Sequence, residues 1–280
     1  MSARRRPAAP EPALYNQVSA NKRRSVLLMA GFVAVVVTLA WAASLLFGSG
    51  VAGLVGAVVF AAFASLGAWW KSDAIALALS HARPAVEAEH ARFHNVVEGL
   101  CVAGGLPKPR LFVVPDDAPN AFATGRNPRH AAIVVTTGLL EKLNRLELGG
   151  VLAHELSHVK NYDTLVSTLA VTILGLSGTV FMVTAPLGGR LMRVAVGRRR
   201  ELLADTSGVT LTRYPPGLIS ALEKLRDDST LVRSGSRATA HLWIESPVPR
   251  TASEGRSARF NRAFDTHPPL EERIAALREL

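Results

Sequence analysis

Apolar residues in the first quarter of the chain come in two unbroken runs rather than at intervals. Ser25 to Gly48 and Val51 to Trp70 carry no charged side chain, and each is long enough as a helix to cross about 30 Å of hydrocarbon. Gly48-Ser49-Gly50 between them reads as a tight turn, so residues 25–71 predict a transmembrane helical hairpin. Trp41, Trp69 and Trp70 stand toward the segment ends, where interfacial aromatics collect. A cleaved leader fits poorly, because the first run exceeds an ordinary signal core and a second follows at once. Beyond residue 71 the pattern breaks into shorter elements. Residues 72–106 read as helical, and 215–225 as a further helix. Leu111–Val114 and Ala132–Thr137 are β-branched runs bounded by Pro, Asn and Gly, which read as strands. Leu148, Leu152, Leu156 and Val159 recur at helical spacing as one stripe. Residues 1–24, rich in Pro, Ala and Arg, predict a basic disordered tail, and Asp227 to Phe264, rich in Ser and Arg, a mobile loop. The fold class expected is α+β, mainly helical with a small sheet, behind an N-terminal hairpin.

The other side of the helix carrying that stripe holds the most informative residues. His154-Glu-Leu-Ser-His158 places two imidazoles about 40° apart and roughly 6 Å along the axis. Both can reach one metal ion, with Glu155 close enough to act on a metal-bound water. Catalytic zinc takes three protein ligands and keeps a position for water. A downstream pair, Glu201 and Asp205, shares a helix face at i, i+4, so one can bind the metal while the other orients a ligand histidine. Arg198 to Arg200 immediately before it read as an exposed helix end.

Several ordered motifs extend this pattern: Pro119-Asn-Ala-Phe-Ala-Thr-Gly125, Val135-Thr-Thr-Gly-Leu-Leu140, His154 to Asp163, Glu201-Leu-Leu-Ala-Asp205, Thr239-Ala-His-Leu242 and Thr266-His-Pro-Pro-Leu-Glu-Glu-Arg273. Together, over about residues 80–280, they resemble the HtpX family of membrane-embedded zinc endopeptidases, relatives of the prenyl-protein proteases. The resemblance implies a zincin-like metallopeptidase domain over 72–280 with one zinc ion per chain. It implies His154, His158 and Glu201 as ligands, Glu155 as general base and Asp205 as the partner of a ligand histidine. It also implies His267 near the metal, stabilising an oxyanion or capping the resting site, with Arg273 holding that region. His241 is a further histidine within a matching motif. The segment from Asn120 to Thr124 would lie at the cleft, where an exposed strand edge can pair with an extended substrate backbone. The substrates implied are polypeptides, drawn from misfolded or damaged membrane proteins in a stress response.

Composition places that chemistry. The mean hydropathy of +0.22 is high for a soluble enzyme of this length. Arg4–Arg6, Lys22–Arg24 and Lys71 flank the hairpin while its loop has no Lys or Arg, so both ends belong in the cytoplasm and the catalytic domain faces it from the cell (plasma or inner) membrane. The net charge of +10 lies largely beside that hairpin, where the lipid bilayer is the partner; no basic–aromatic interleaving marks a nucleic-acid module. A third apolar run, Leu165 to Leu187, separates His158 from Glu201. These two must meet at one metal, and 164–190 is too short for two full crossings, so the run is expected to be membrane-associated or buried without crossing once. The alternative function, a non-catalytic zinc-binding membrane scaffold, would have no use for Glu155.

Overall fold

The computed structural model describes residues 11–48, 50–168, 198–230, 239, 242–245 and 268–280. Two helices open it. α1 (Glu11–Phe47) and α2 (Gly50–Trp70) pack against each other and meet at a turn where Gly48 and Gly50 take φ of 67° and 57°, a conformation glycine adopts without strain. α1 starts far before the charge-free run, so 11–24 is helical and not a disordered tail; 1–10 lie outside the described residues. Pro12 sits in the first turn, where its missing N–H costs nothing, and no other Pro or Gly interrupts the helix before Gly31. Over the described residues alone, no helix is long and apolar enough to cross a membrane. Several side chains of both helices fall outside that set, and the whole sequence of α2 is uncharged over 21 residues.

The region expected as one helical stretch, 72–106, is divided. Helix α3 (Ser72–Leu79) ends before His81, whose φ is 53°, and Pro84 belongs to a two-residue strand, β1 (Arg83–Pro84). α4 (Ala91–Gly104) then stops at Gly105 in the left-handed conformation. Strands β2 (Arg110–Val114), β3 (Ala121–Gly125) and β4 (Ala131–Thr136) complete a mixed sheet in the order β1-β2-β4-β3. β2 runs parallel to β4 with Leu111 opposite Ile133, and β3 runs antiparallel to β4 with Phe122 opposite Val134.

Alternation divides the sheet's side chains between two cores. Leu111, Val113, Ile133 and Val135 pack in one cluster with Phe93 of α4 and with Leu148 and Leu152 of the next long helix. Val114, Phe122 and Val134 pack on the other side with Ala76 of α3 and with Trp243. Trp243 is fully buried and meets Phe122 edge to face at 4.7 Å. That overturns the expectation of a mobile loop at this point: Leu242, Trp243 and Ile244 form an apolar triplet that the sheet buries, whatever the polar character of the sequence around it.

After α5 (Thr137–Lys142), α6 (Arg145–Lys160) carries both histidines of the motif. The side chain of Asn144 accepts hydrogen bonds from the Leu146 and Glu147 N–H groups, and Glu147 accepts one in return from the Asn144 N–H, a reciprocal cap. Lys224 and Ser220 hold Glu147 from α8 (Pro215–Asp227). α6 is buried on every side between α4, α7 (Arg198–Thr212) and α8, so the predicted apolar stripe is only its sheet-facing half. At Gly150 a Cβ would come within 2.6 Å of the Leu218 nitrogen, so this glycine lets α8 approach the α6 backbone. The last helix is α9 (Leu270–Arg278), which Pro269 precedes. Of the third apolar run, Leu165 to Thr168 are buried against the domain, with Thr168 Oγ1 2.9 Å from Thr124 Oγ1; residues 169–197 lie outside the described residues.

Candidate active site

The crossing of α6 and α7 assembles the site. Gly208 lies against the α6 backbone, where a Cβ would come within 2.9 Å of the His154 nitrogen. Glu201 and Asp205, seven and three residues earlier on the same face, therefore reach the histidines one and two turns along. His154 Nε2 and His158 Nε2 stand 3.1 Å apart, and each is 3.6 Å from a different oxygen of Glu201. These three residues form a group that can hold a metal ion, one atom from each lying within 4.8 Å of the others.

The backs of the rings explain why the front suits a cation. His154 Nδ1 is 2.8 Å from Asp205 Oδ1, and His158 Nδ1 is 3.0 Å from Asp163 Oδ2. A neutral imidazole that donates from Nδ1 carries its lone pair on Nε2, so two lone pairs and a carboxylate converge on one point. Only positive charge relieves that arrangement. Burial disfavours charge on His158, yet Glu201 and then Asp163 outweigh it and push its pKa up to about 9. Glu155, buried beside the pair, has a carboxyl raised above the ordinary range by burial, with the neighbouring histidines opposing.

The comparisons with known proteins decide what kind of site this is. The model of peptidase family M48 matches residues 87–280. The protease HtpX homologue of Lactobacillus acidophilus is 36% identical over 305 aligned positions, spanning 95% of this chain and all of the relative. The homologue of Thermoanaerobacter pseudethanolicus is 36% identical across 95% of this chain and 98% of its own length. That of Tropheryma whipplei is 40% identical across 75% of this chain and 79% of its own length. The chain belongs to peptidase family M48, with the HtpX-type proteases.

Within this M48 peptidase, Arg273 is fully buried. Its guanidinium forks onto Asp205, Nε to Oδ2 at 2.9 Å and a terminal nitrogen to Oδ1 at 2.6 Å. Burial would raise the Asp205 carboxyl, but Arg273 and then His154 hold it well below the usual carboxylate range. Asn120, expected at the cleft, is engaged on backbone through both ends of its amide. Its amide donates to the Glu245 carbonyl at 2.8 Å, while its side-chain oxygen accepts from the Ala121 and Glu245 N–H groups. With both ends engaged on backbone, Asn120 clamps the 242–245 segment onto β3.

The β3 edge is also less open than expected. All five of its residues are buried, the Ile244 N–H donates to the Ala121 carbonyl at 2.9 Å, and the Gly125 N–H donates to Thr168 Oγ1 at 3.2 Å. Ala123, which shares their outward register, lies between those two occupied ends. His267 and His241 lie outside the described residues.

Three supporting residues escaped the sequence reading. Asp163 sits just past α6, beyond Tyr162 at φ 59°, so helical periodicity does not place it beside His158. Arg200, read as part of an exposed helix end, is buried, and its Nε lies 2.9 Å from Asp163 Oδ1. Asn21 of α1 is fully buried and donates to that same Oδ1 at 2.5 Å and to the Asn161 carbonyl at 3.0 Å. The one sequence signal for Asp163 was its place in the His154–Asp163 motif, and nothing local marks Asn21.

Proposed function

We propose that this M48 peptidase is a membrane-anchored zinc endopeptidase. It hydrolyses internal peptide bonds of polypeptides, taken from misfolded or damaged membrane proteins, at the cytoplasmic face of the cell membrane. The carrying observation is the convergence of His154, His158 and Glu201, each histidine braced from behind by a carboxylate, with Glu155 beside them. Two imidazoles and one carboxylate are the donor set of catalytic zinc sites that leave a position for water. Zinc bound there would polarise the scissile carbonyl and make water acidic enough to lose a proton near neutral pH.

The chain's own residues do the rest. Glu155, its carboxyl raised above the ordinary range by burial, accepts the proton of the attacking water and hands it to the departing amine. Asp205 and Asp163 keep each Nδ1 donating, so both Nε2 atoms stay available as ligands. Arg273 keeps Asp205 ionised, and so fit to accept, throughout the cycle.

Membrane anchoring rests on the charge-free runs and on where the exposed apolar surface lies. Among the described residues, 13 of the 18 exposed large hydrophobic side chains belong to α1 and α2, including Phe60, Phe63 and Leu46. A patch of that size on a helix pair needs a hydrocarbon partner. The distribution of Lys and Arg then favours both helix ends in the cytoplasm.

The test of the chemistry is Glu155→Gln. The amide is nearly isosteric but accepts no proton, so the purified variant should keep its zinc and lose casein cleavage and self-cleavage by at least about a hundredfold. A comparable rate in this variant would remove Glu155 from the role.

A further inference from the structure

A cavity of about 990 Å³ opens where the helix pair meets the catalytic domain. It lies beside the cytoplasmic end of the proposed anchor, where α1 enters and α2 leaves its charge-free stretch. Its lining has two chemistries. Val26, Met29 and Leu66 supply an apolar wall, and Val26 and Leu66 are 65% and 55% exposed. Lys22, Arg126 and Arg129 supply three cations, and no Asp or Glu lines the cavity.

Two of those cations are oriented on ring faces rather than neutralised. Arg126 lies 4.4 Å over the Trp70 ring and donates to the Trp70 carbonyl at 2.8 Å. Lys22 lies 4.6 Å from the centre of the Tyr162 ring. Stacking on a ring face occupies one side of a cation and leaves N–H groups free at its edge. Among the described residues, no carboxylate pairs with Lys22, Arg126 or Arg129. Three like charges around one cavity raise the local potential for an anion. A small soluble anion would satisfy them and leave the adjoining apolar wall in water. An amphiphile with an anionic head satisfies both.

We propose that this cavity binds one anionic glycerophospholipid, its phosphate among Lys22, Arg126 and Arg129 and its acyl chains along Val26, Met29 and Leu66. The site rests on the membrane-anchored reading given above. It also borders the catalytic machinery: Tyr162 and Leu165, from the segment that follows α6, line the same cavity, and Asn21, beside Lys22, holds Asp163. A bound lipid therefore braces the turn that positions His158.

The experiment places full-length protein in nanodiscs of phosphatidylcholine with a minor fraction of phosphatidylglycerol, then counts retained lipids by native mass spectrometry after gentle detergent release. Wild type should retain one phosphatidylglycerol per chain in preference to phosphatidylcholine. Lys22→Gln combined with Arg129→Gln should weaken that retention about thirtyfold. Arg126→Lys, which keeps the charge but loses the planar fork, should weaken it less. Millimolar glycerol 1-phosphate should not displace the lipid. Equal retention by the double variant, no preference over phosphatidylcholine, or displacement by glycerol phosphate would each overturn the lipid site. Incorporation into the discs is measured in the same samples. Normal incorporation with any of those three outcomes sinks the lipid site alone, while failure of wild type to incorporate sinks the anchor and the lipid site together. The thermal unfolding midpoint checks that every variant keeps its catalytic domain folded.

Discussion

The two histidines of the site face each other and both braces reach α7, but only the brace behind His158 also reaches α1. His154 is braced by Asp205 and Arg273, from α7 and α9, and its side chain is 1% exposed. His158 is braced by Asp163, which Arg200 of α7 and Asn21 of α1 hold in turn, and its side chain is 13% exposed. One ligand thus depends only on the catalytic domain's interior. The other depends in part on where the hairpin sits. A shift of α1 would act on Asp163 and through it on His158, not on the partners of His154.

The largest effect that separates the two sides should come from Arg273→Ala. It leaves Asp205 buried without its cation, and breaking a buried pair this way costs about 3–5 kcal/mol. The variant should unfold at a clearly lower temperature and lose metal. A melting temperature within a degree or two of wild type would show that Asp205 has other compensation.

On the other side, Asp163→Ala should weaken metal affinity about 10–100-fold, as the loss of a partner behind a ligating histidine does. Asn21→Ala removes only one of the groups holding Asp163 and should cost about fivefold. Chelator competition measures both. If Asn21→Ala left affinity unchanged while Asp163→Ala lowered it, the hairpin would not take part in holding His158.

How much of this was legible in the sequence follows the same division. The His154 side was readable because helical spacing carries it: His154 and His158 at i, i+4, and Glu201 and Asp205 at i, i+4 on a second helix. Strands β2 and β4 were readable from β-branched runs between breakers. The His158 brace was not, because Asp163 follows a turn at positive φ and Asn21 is 142 residues away in sequence. Arg200 was misread because a run of three arginines resembles a solvated helix end, whereas one of them turns inward to a buried carboxylate. The contacts of Asn120 were hidden for a related reason. Local sequence cannot reveal that Glu245 presents its backbone to that amide.

The smallest expected effect tests the domain side's rigidity at the N-terminus of α6. Burial would raise the Glu147 carboxyl, but Lys224, Ser220 and the Asn144 N–H outweigh it and hold its pKa below the ordinary value. A depressed folded-state pKa contributes stability that is present above the unfolded value, about 4.5, and is lost as pH falls through the folded value. The stability difference between wild type and Glu147→Gln should therefore be about 1 kcal/mol at neutral pH and shrink below pH 4 to 5. A difference that stayed constant down to pH 3 would show that ionisation of Glu147 contributes nothing.

The account's central claim, that His154, His158 and Glu201 together hold one catalytic metal, is tested most directly by metal stoichiometry. Elemental analysis of gently purified protein should give one zinc per chain in wild type and in Glu155→Gln, and less than about a tenth of that in His154→Ala, His158→Ala and Glu201→Ala. Full zinc occupancy in a folded Glu201→Ala protein would contradict it and assign the third ligand elsewhere.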